Sequence, residues 1–221
     1  MNIWLILPVY NEGARFVDVL TAILSLHPHL NIVVIDDGSV QPVQIPTQSK
    51  TVTLLRHPVN LGKGSALKTG AEYAFSHKAE AIIFMDTDGQ HLPQDISMFI
   101  HLLNQKFDVV IGSRRPSLHT PFVRLFGNKL ASIYINVLFG VYVSDLISGF
   151  RALSFRAYQL LKWTSPRYGV ETEMIAKLGK NKHLLKYTEF PIEPIYIDKY
   201  KGTSIIDALK ILANTIWWRL S

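Results

Sequence analysis

The sequence predicts an α/β fold: a mostly parallel sheet flanked by helices, closed by a C-terminal amphipathic helix. Three observations carry the prediction. Short apolar runs recur through the first half of the chain, long enough for buried strands and too short for helices. Segments of helical period separate them, the alternation that builds parallel sheets through crossover connections. The runs end in polar clusters, and in open α/β sheets ligands bind in the crevice outside the carboxyl ends of the strands.

Residues 3–7 form the first strand, ended by Pro8. Asn11, Glu12 and Gly13 turn into a helix with apolar positions Phe16, Val17, Leu20, Ile23 and Leu24. Residues 31–35 form a second strand, running into Asp36, Asp37, Gly38 and Ser39. Residues 40–49 are polar and contain proline, the composition of a loop, and residues 52–55 form a third strand. Asn60, Leu61, Gly62, Lys63 and Gly64 open a helix that runs to about residue 75. Residues 81–85 are the central strand, residues 96–103 a helix and residues 108–111 a further strand.

The second half changes character. Residues 121–143 are apolar and aromatic, but Arg124, Asn128, Ser132 and Asn136 recur every four residues, which predicts a helix with one polar stripe. Its apolar face is expected to pack on the sheet or on a partner chain, with a place in a membrane interface as the alternative. Residues 144–151 read as a glycine turn entering a short strand, and a helix carrying Glu171 and Glu173 follows Tyr168 and Gly169. Residues 184–187 and 192–197 read as strands, with Pro191 and Pro194 marking edges. Residues 199–204 form a basic loop, and residues 205–220 a helix with Trp217 and Trp218 near its end. The expected division is a main domain over 1–204 and an amphipathic helix over 205–221 that meets a membrane surface or a second copy of the chain.

Composition narrows the classes. A chain of 221 residues, 48% of them apolar, suits one domain with a large core. The absence of cysteine excludes disulfides and thiolate metal sites. A net charge of +6 suits an anionic partner, yet no Lys/Arg run resembles a nucleic-acid tail. The N-terminus lacks the basic start and cleavage site of a secretory leader. The longest uncharged apolar run, between Lys129 and Asp145, falls short of the ~20 residues that cross a bilayer.

Chemistry concentrates after the central strand, in Asp86, Thr87, Asp88, Gly89 and Gln90. Two carboxylates one residue apart at a strand end can hold Mg²⁺ or Mn²⁺ through hard oxygen ligands, and such a metal neutralises a diphosphate. Taken alone, the same residues also suit a simple turn. Helix capping accounts for Asn11 and part of Ser39. It does not account for Asp36 beside Asp37, which repel unless something binds them. Gly62, Lys63 and Gly64 lack the P-loop pattern; they suit a backbone approach to a nucleotide or a tight turn with a solvated lysine.

Six motifs appear in one order: Pro8, Val9, Tyr10, Asn11, Glu12; Ile35, Asp36, Asp37, Gly38, Ser39; Asn60 through Gly64; Asp86 through His91; Gly112, Ser113, Arg114; and Ser148, Gly149, Phe150, Arg151. With them the chain resembles the family 2 glycosyltransferases of the GT-A fold, and among them the polyprenyl (dolichyl) phosphate mannose synthase-like group. The resemblance covers residues 3 to about 204. It implies an inverting, metal-dependent hexosyltransferase that moves sugar from a nucleotide diphosphate sugar, of GDP-mannose or UDP-hexose type, to a polyprenyl phosphate. It implies that Pro8, Tyr10, Glu12, Asp36, Asp37, Lys63 and Asp86 hold the nucleotide sugar. Asp86, Asp88 and Gln90 would bind Mg²⁺ or Mn²⁺. Arg114, Lys129 and Arg151 would meet the acceptor phosphate, while Glu173 matches an acidic position on the acceptor side, as a base or as the group orienting Arg151. A salt bridge to Asp145 or Glu173 is the alternative use of either arginine. The implied location is peripheral, on the cytoplasmic face of a membrane. Many members of the group also carry C-terminal membrane spans, and no run here has that length.

Acceptor chemistry separates the readings. A hydroxyl acceptor needs a general base at the attacking oxygen. A phosphate monoester, whose second pKa lies near ~6, arrives ionised and needs cations instead. A transferase acting on a glycan or lipid hydroxyl, a nucleotide-binding scaffold without turnover and a sugar-1-phosphate nucleotidyltransferase are the competing classes. The last would require a glycine-rich triphosphate loop after the first strand, and none is present.

Overall fold

A computed structural model describes residues 1–45, 49–115, 122–167, 169–193 and 214–219, and among them lie seven strands and six α-helices besides the helical stretch 214–219. The strands are β1 (Ile3–Val9), β2 (Asn31–Asp36), β3 (Val52–Arg56), β4 (Ala81–Phe84), β5 (Val109–Arg114), β6 (Arg151–Ser154) and β7 (Tyr187–Ile192). The helices are α1 (Ala14–Leu26), α2 (Lys63–Ser76), α3 (Ile96–Asn104), α4 (Phe122–Phe139), α5 (Phe155–Leu161) and α6 (Val170–Lys180).

The strands form one sheet in the order β3-β2-β1-β4-β6-β5-β7. All pairs are parallel except those of β6, which runs antiparallel between β4 and β5. The predicted mostly parallel sheet is therefore present, and the carboxyl ends of β1, β2, β4 and β5 lie along one edge. Because β6 runs the other way, its start, Arg151, is delivered to that same edge, opposite Phe84 and Ile111.

Alternation along β1 divides the core. Ile6 joins the layer containing α2, α5 and α6, whereas Leu5, Leu7 and Val9 join the layer containing α1 and α3. Gly70 of α2 lets that helix lie on β1 and β2, since a Cβ there would come within 2.6 Å of Ile35. Both faces of the central strands are covered, which is why they read as unbroken apolar runs.

Three expectations change. In place of a strand over 184–187, one strand, Tyr187–Ile192, carries Pro191 at the sheet edge, and most of the strand read at 192–197 lies outside the described residues. Residues 194–213, including Pro194, the 199–204 loop and the start of the last helix, lie outside the described residues. Helix α5 was not evident from periodicity; Ser154 caps it, accepting a bond from the Ala157 N–H.

The third change concerns α4. Its apolar face packs on the core as expected, through Ile135 and Phe139 with Ala131, Tyr134 and Leu138, and Asn136 of the polar stripe is exposed. The change is that Asn128 and Ser132 also turn inward while a second apolar strip faces out. Ser132 is buried and Asn128 bonds to Ser144 and Asp145, while Phe126, Leu130, Ile133 and Val137 are exposed, Val137 at 77%. The Arg124 side chain lies outside what is described. Residues 214–219 are helical beside α4, where Thr215 donates to the Tyr134 hydroxyl at 3.1 Å and Trp218 packs on the core. Ile216 and Trp217 face outward.

Candidate active site

Beyond β4 the chain is tied to β1. The Met85 N–H donates to the Ile6 carbonyl and the Thr87 hydroxyl to the Pro8 carbonyl at 2.9 Å. Gly89, with φ +80°, closes the turn in a conformation few other residues adopt. Gln90 then holds Asp88: its N–H donates to Oδ1 at 3.0 Å and its side-chain amide to Oδ2 at 2.9 Å. Gln90 thus fixes the orientation of the Asp88 carboxylate. His91 is buried, stacked on Phe150 at 5.0 Å.

Asp86 meets Lys63. The ammonium lies 2.7 Å from Asp86 Oδ1 and 2.8 Å from Glu171 Oε1, so one cation from the start of α2 joins a strand end to the first turn of α6. Burial works against the charge of all these groups, but attraction prevails at the pair. The Lys63 ammonium is held above its ordinary pKa by Asp86 and Glu171, and Asp86 below its own by Lys63. Asp88 has no such cation. Burial, then the Asp86 charge, pushes its pKa up. Gly149 packs over the pair: a Cβ there would stand 2.6 Å from Lys63 Nζ, so the loop before β6 needs glycine at this point.

For an implied divalent cation these residues fit. Asp88 is a partly buried carboxylate next to a second carboxylate, an arrangement that a cation stabilises. Among the described residues no group of three or more His, Asp or Glu side chains forms a metal cluster. A cation here would rest on Asp86 and Asp88 and complete its shell with diphosphate oxygens and water, as Mg²⁺ commonly does.

The arginines divide. Arg114 forms a two-point pair with Asp145, which also accepts from Asn128 of α4. Arg151 does not reach the rim expected of it. It is 1% exposed, and its guanidinium donates to the carbonyls of Ser148, Glu171 and Leu146. Burial pushes its pKa down, and those carbonyls consume its fork. Arg151 therefore braces the loop before β6 against the first turn of α6. Lys129 lies exposed on α4.

Glu173 is also displaced from its expected place. It is fully buried, accepts the N–H groups of Thr164 and Ser165, and pairs with Lys177 at 2.9 Å. Among the described residues the Arg151 guanidinium donates to backbone carbonyls, that of Glu171 included. The residue at the site is Glu171. At about 100° per helical residue, positions 171 and 173 point to nearly opposite sides, so choosing between them requires the helix phase.

Asp36 and Asp37 have bound partners within the protein. Asp36 accepts the Ser39 and Val43 N–H groups and pairs with Arg56 at 2.5 Å. Asp37 accepts the Leu61 and Gly62 N–H groups and bonds to His57 at 2.7 Å. Their repulsion is resolved by these contacts, and both carboxylates fix the loops around the crevice. Tyr10, 47% exposed, and the half-buried Pro8 and Glu12 line the mouth at the end of β1.

The Arg114–Asp145 pair is the salt bridge that the sequence offered as the alternative use of that arginine. Glu171, Gly149 and Asn128 are site components that sequence reasoning did not assign; Glu171 was visible only as an acidic residue near a motif, because its partner Lys63 is far away in sequence.

The family profile described as "Glycosyl transferase family 2" matches residues 4–161. A UDP-N-acetylglucosamine–dolichyl-phosphate N-acetylglucosaminyltransferase of Methanococcus voltae is 31% identical over 244 residues, covering 99% of this chain and 96% of that protein. An undecaprenyl-phosphate mannosyltransferase of Micrococcus luteus is 26% identical over 219 residues, covering 92% and 87%. Among solved structures, glucosyl-3-phosphoglycerate synthase of Mycobacterium tuberculosis with Mg²⁺ and UDP superposes with a TM-score of 0.76 at 19% identity, covering 99% and 79%. The fold is the expected GT-A arrangement, and the chain belongs to glycosyl transferase family 2.

Proposed function

We propose that the protein moves a sugar from a nucleotide diphosphate sugar of the UDP-hexose or GDP-mannose type to a polyprenyl phosphate, with inversion at the anomeric carbon. The observation that carries this reading is the convergence of Asp86, Asp88 and Lys63 at the carboxyl end of the central strands, a cradle for a diphosphate. The M. voltae and M. luteus relatives, named for lipid-phosphate acceptors, support the acceptor class.

An acceptor phosphate oxygen forms the new bond to the anomeric carbon as the bond from that carbon to the diphosphate breaks. Positive charge develops on the sugar and negative charge on the leaving group. Asp86 and Asp88 would hold Mg²⁺ or Mn²⁺, which neutralises the leaving diphosphate. Lys63 adds a positive charge on the same side. Pro8, Tyr10 and Glu12 bound the nucleotide end of the crevice, and Asp36 and Asp37 hold its walls. Arg114, oriented by Asp145, and Lys129 receive the acceptor phosphate. The locked position of Glu173 favours this acceptor over a hydroxyl, because a phosphate dianion needs no base.

The lipid must be met at a membrane surface. The outward Phe126, Leu130, Ile133 and Val137 of α4, continued by Ile216 and Trp217, support docking of this face on the bilayer, with Lys129 at its flank. No described helix is long and apolar enough to cross a membrane. The reading places the protein peripherally on the cytoplasmic face. A second copy of the chain is the competing occupant, detected as a doubled solution mass.

A screen of nucleotide sugars with polyprenyl phosphate, Mg²⁺ or Mn²⁺ and mass detection tests the reading. A sugar–phospholipid product is expected. Transfer only to hydroxyl acceptors, or no transfer with any donor, would overturn it.

A further inference from the structure

We propose that Lys63 is the built-in competitor of the divalent cation at Asp86, and that Glu171 is a positioning residue that sets how firmly Lys63 competes. The inference rests on the reading of Asp86 and Asp88 as the metal–diphosphate site.

The geometry is specific. One ammonium is shared between two carboxylates at 2.7 and 2.8 Å, and it occupies an oxygen that a metal at Asp86 and Asp88 would use. Gly149 covers the pair so closely that even a methyl group would strike Nζ. Movement of Lys63 is limited on the α2 side as well. The loop after α5 is laid on the start of that helix, with Ser65 N–H donating to the Pro166 carbonyl at 3.0 Å and the Trp163 indole donating to the Gly64 carbonyl at 2.7 Å. Glu171 is fixed in turn, because its carbonyl accepts a bond from the buried Arg151 at 2.7 Å.

Without donor, Lys63 supplies the charge that Asp86 requires and keeps that carboxylate in place. A divalent cation arriving alone meets an oxygen already occupied and an ammonium beside it that repels it. A donor diphosphate changes the balance: its oxygens accept the ammonium, Glu171 keeps its contact, and Asp86 is released to the metal. Metal and diphosphate are thereby bound together in preference to either alone. The two acidic residues of the first turn of α6 serve one end, Glu171 by touching Lys63 and Glu173 by holding the loop under which α2 begins.

Binding of Mn²⁺ alone, followed by the electron paramagnetic resonance signal of the free ion, tests this without turnover. Lys63→Gln is expected to tighten Mn²⁺ binding about tenfold or more, the scale of one charge-assisted contact. Glu171→Gln is expected to weaken it, since the whole ammonium then falls to Asp86. The double variant is expected to bind Mn²⁺ as tightly as Lys63→Gln. With UDP or GDP added, Lys63→Gln should reverse sign and lose nucleotide affinity. Unchanged or weaker Mn²⁺ binding in Lys63→Gln would overturn the inference, as would a double variant well below Lys63→Gln, which would mean that Glu171 acts on the metal directly. If Lys63→Gln does not fold, Glu171→Gln decides alone: equal or tighter Mn²⁺ binding overturns the proposal. Asp88→Asn separates the two levels. Loss of Mn²⁺ binding there with no effect of Lys63 removes only the competition, whereas Mn²⁺ binding indifferent to Asp88 removes the metal site itself.

Discussion

Arg114 and Asp145 meet as a two-point pair, Nε to Oδ2 at 2.6 Å and Nη2 to Oδ1 at 2.9 Å, although they lie on different segments of the chain. The pair holds the guanidinium at the end of β5, where the proposed reading puts the acceptor, and the Arg114 side chain is partly open to solvent. Asp145→Asn keeps the shape and loses the charge. It should raise acceptor KM or lower acceptor kcat/KM by roughly 10-fold or more, given about 1.5–3 kcal/mol per charge-assisted bond. Donor KM should change little. Steady-state kinetics with both substrates varied distinguishes this from a general loss of structure.

Arg151→Lys should act on stability. Lysine keeps the charge but cannot serve the three carbonyls that the guanidinium satisfies. Leaving such buried acceptors unpaired costs about 1–3 kcal/mol each. Denaturant unfolding should show a loss of several kcal/mol, about 2 or more, with donor and acceptor kinetics falling together. A stable variant with only acceptor KM raised would return Arg151 to the acceptor.

Glu173 makes folding sensitive to acid. Burial alone would raise its pKa, but bonds from Ser165, Lys177 and Thr164 outweigh burial and lower it below 4.5. A carboxylate with a depressed folded pKa contributes stability that is fully present above the unfolded value. That contribution is lost as pH falls through the folded value. Glu173→Gln should therefore cost on the order of 1–3 kcal/mol at pH 7, and the gap from the parent should narrow below pH 4.5. Thermal unfolding across pH 3 to pH 7, of the order over which carboxylates titrate, measures it. A gap independent of pH would show that the charge of Glu173 is not what holds the loop.

The outward face of α4 predicts a surface phenotype. Leu130→Glu with Val137→Glu should leave the melting temperature nearly unchanged, because both side chains are already exposed. Flotation with anionic vesicles should drop at least about tenfold, since each apolar side chain withdrawn from water contributes about 1.5–3 kcal/mol. Unchanged flotation with a halved solution mass would assign the face to a second copy.

The alternation of apolar runs and helical segments sufficed to identify the parallel sheet, because burial on both faces writes a strand as a continuous apolar run. It also located the crevice: strand ends and helix starts are local features, and Asp86, Asp88 and Arg114 stand at strand ends and Lys63 at the start of α2. The residues misplaced by sequence reasoning share a different property. Whether Arg151 faces the crevice or the interior depends on β6 running antiparallel between β4 and β5, a long-range pairing. Whether Glu171 or Glu173 reaches Lys63 depends on the rotation of α6 about its axis. Whether Asp36 and Asp37 are free depends on Arg56, His57 and the Leu61–Gly62 backbone, which β3 and α2 bring to them. Amphipathicity reveals that a helix has two faces, but only its neighbours decide which one is buried: α4 turns Ser132 inward and leaves Val137 to the outside. Residue chemistry and local period are properties of short segments. Partners are chosen by tertiary contact, where one charge is satisfied by whichever opposite group the fold brings within reach.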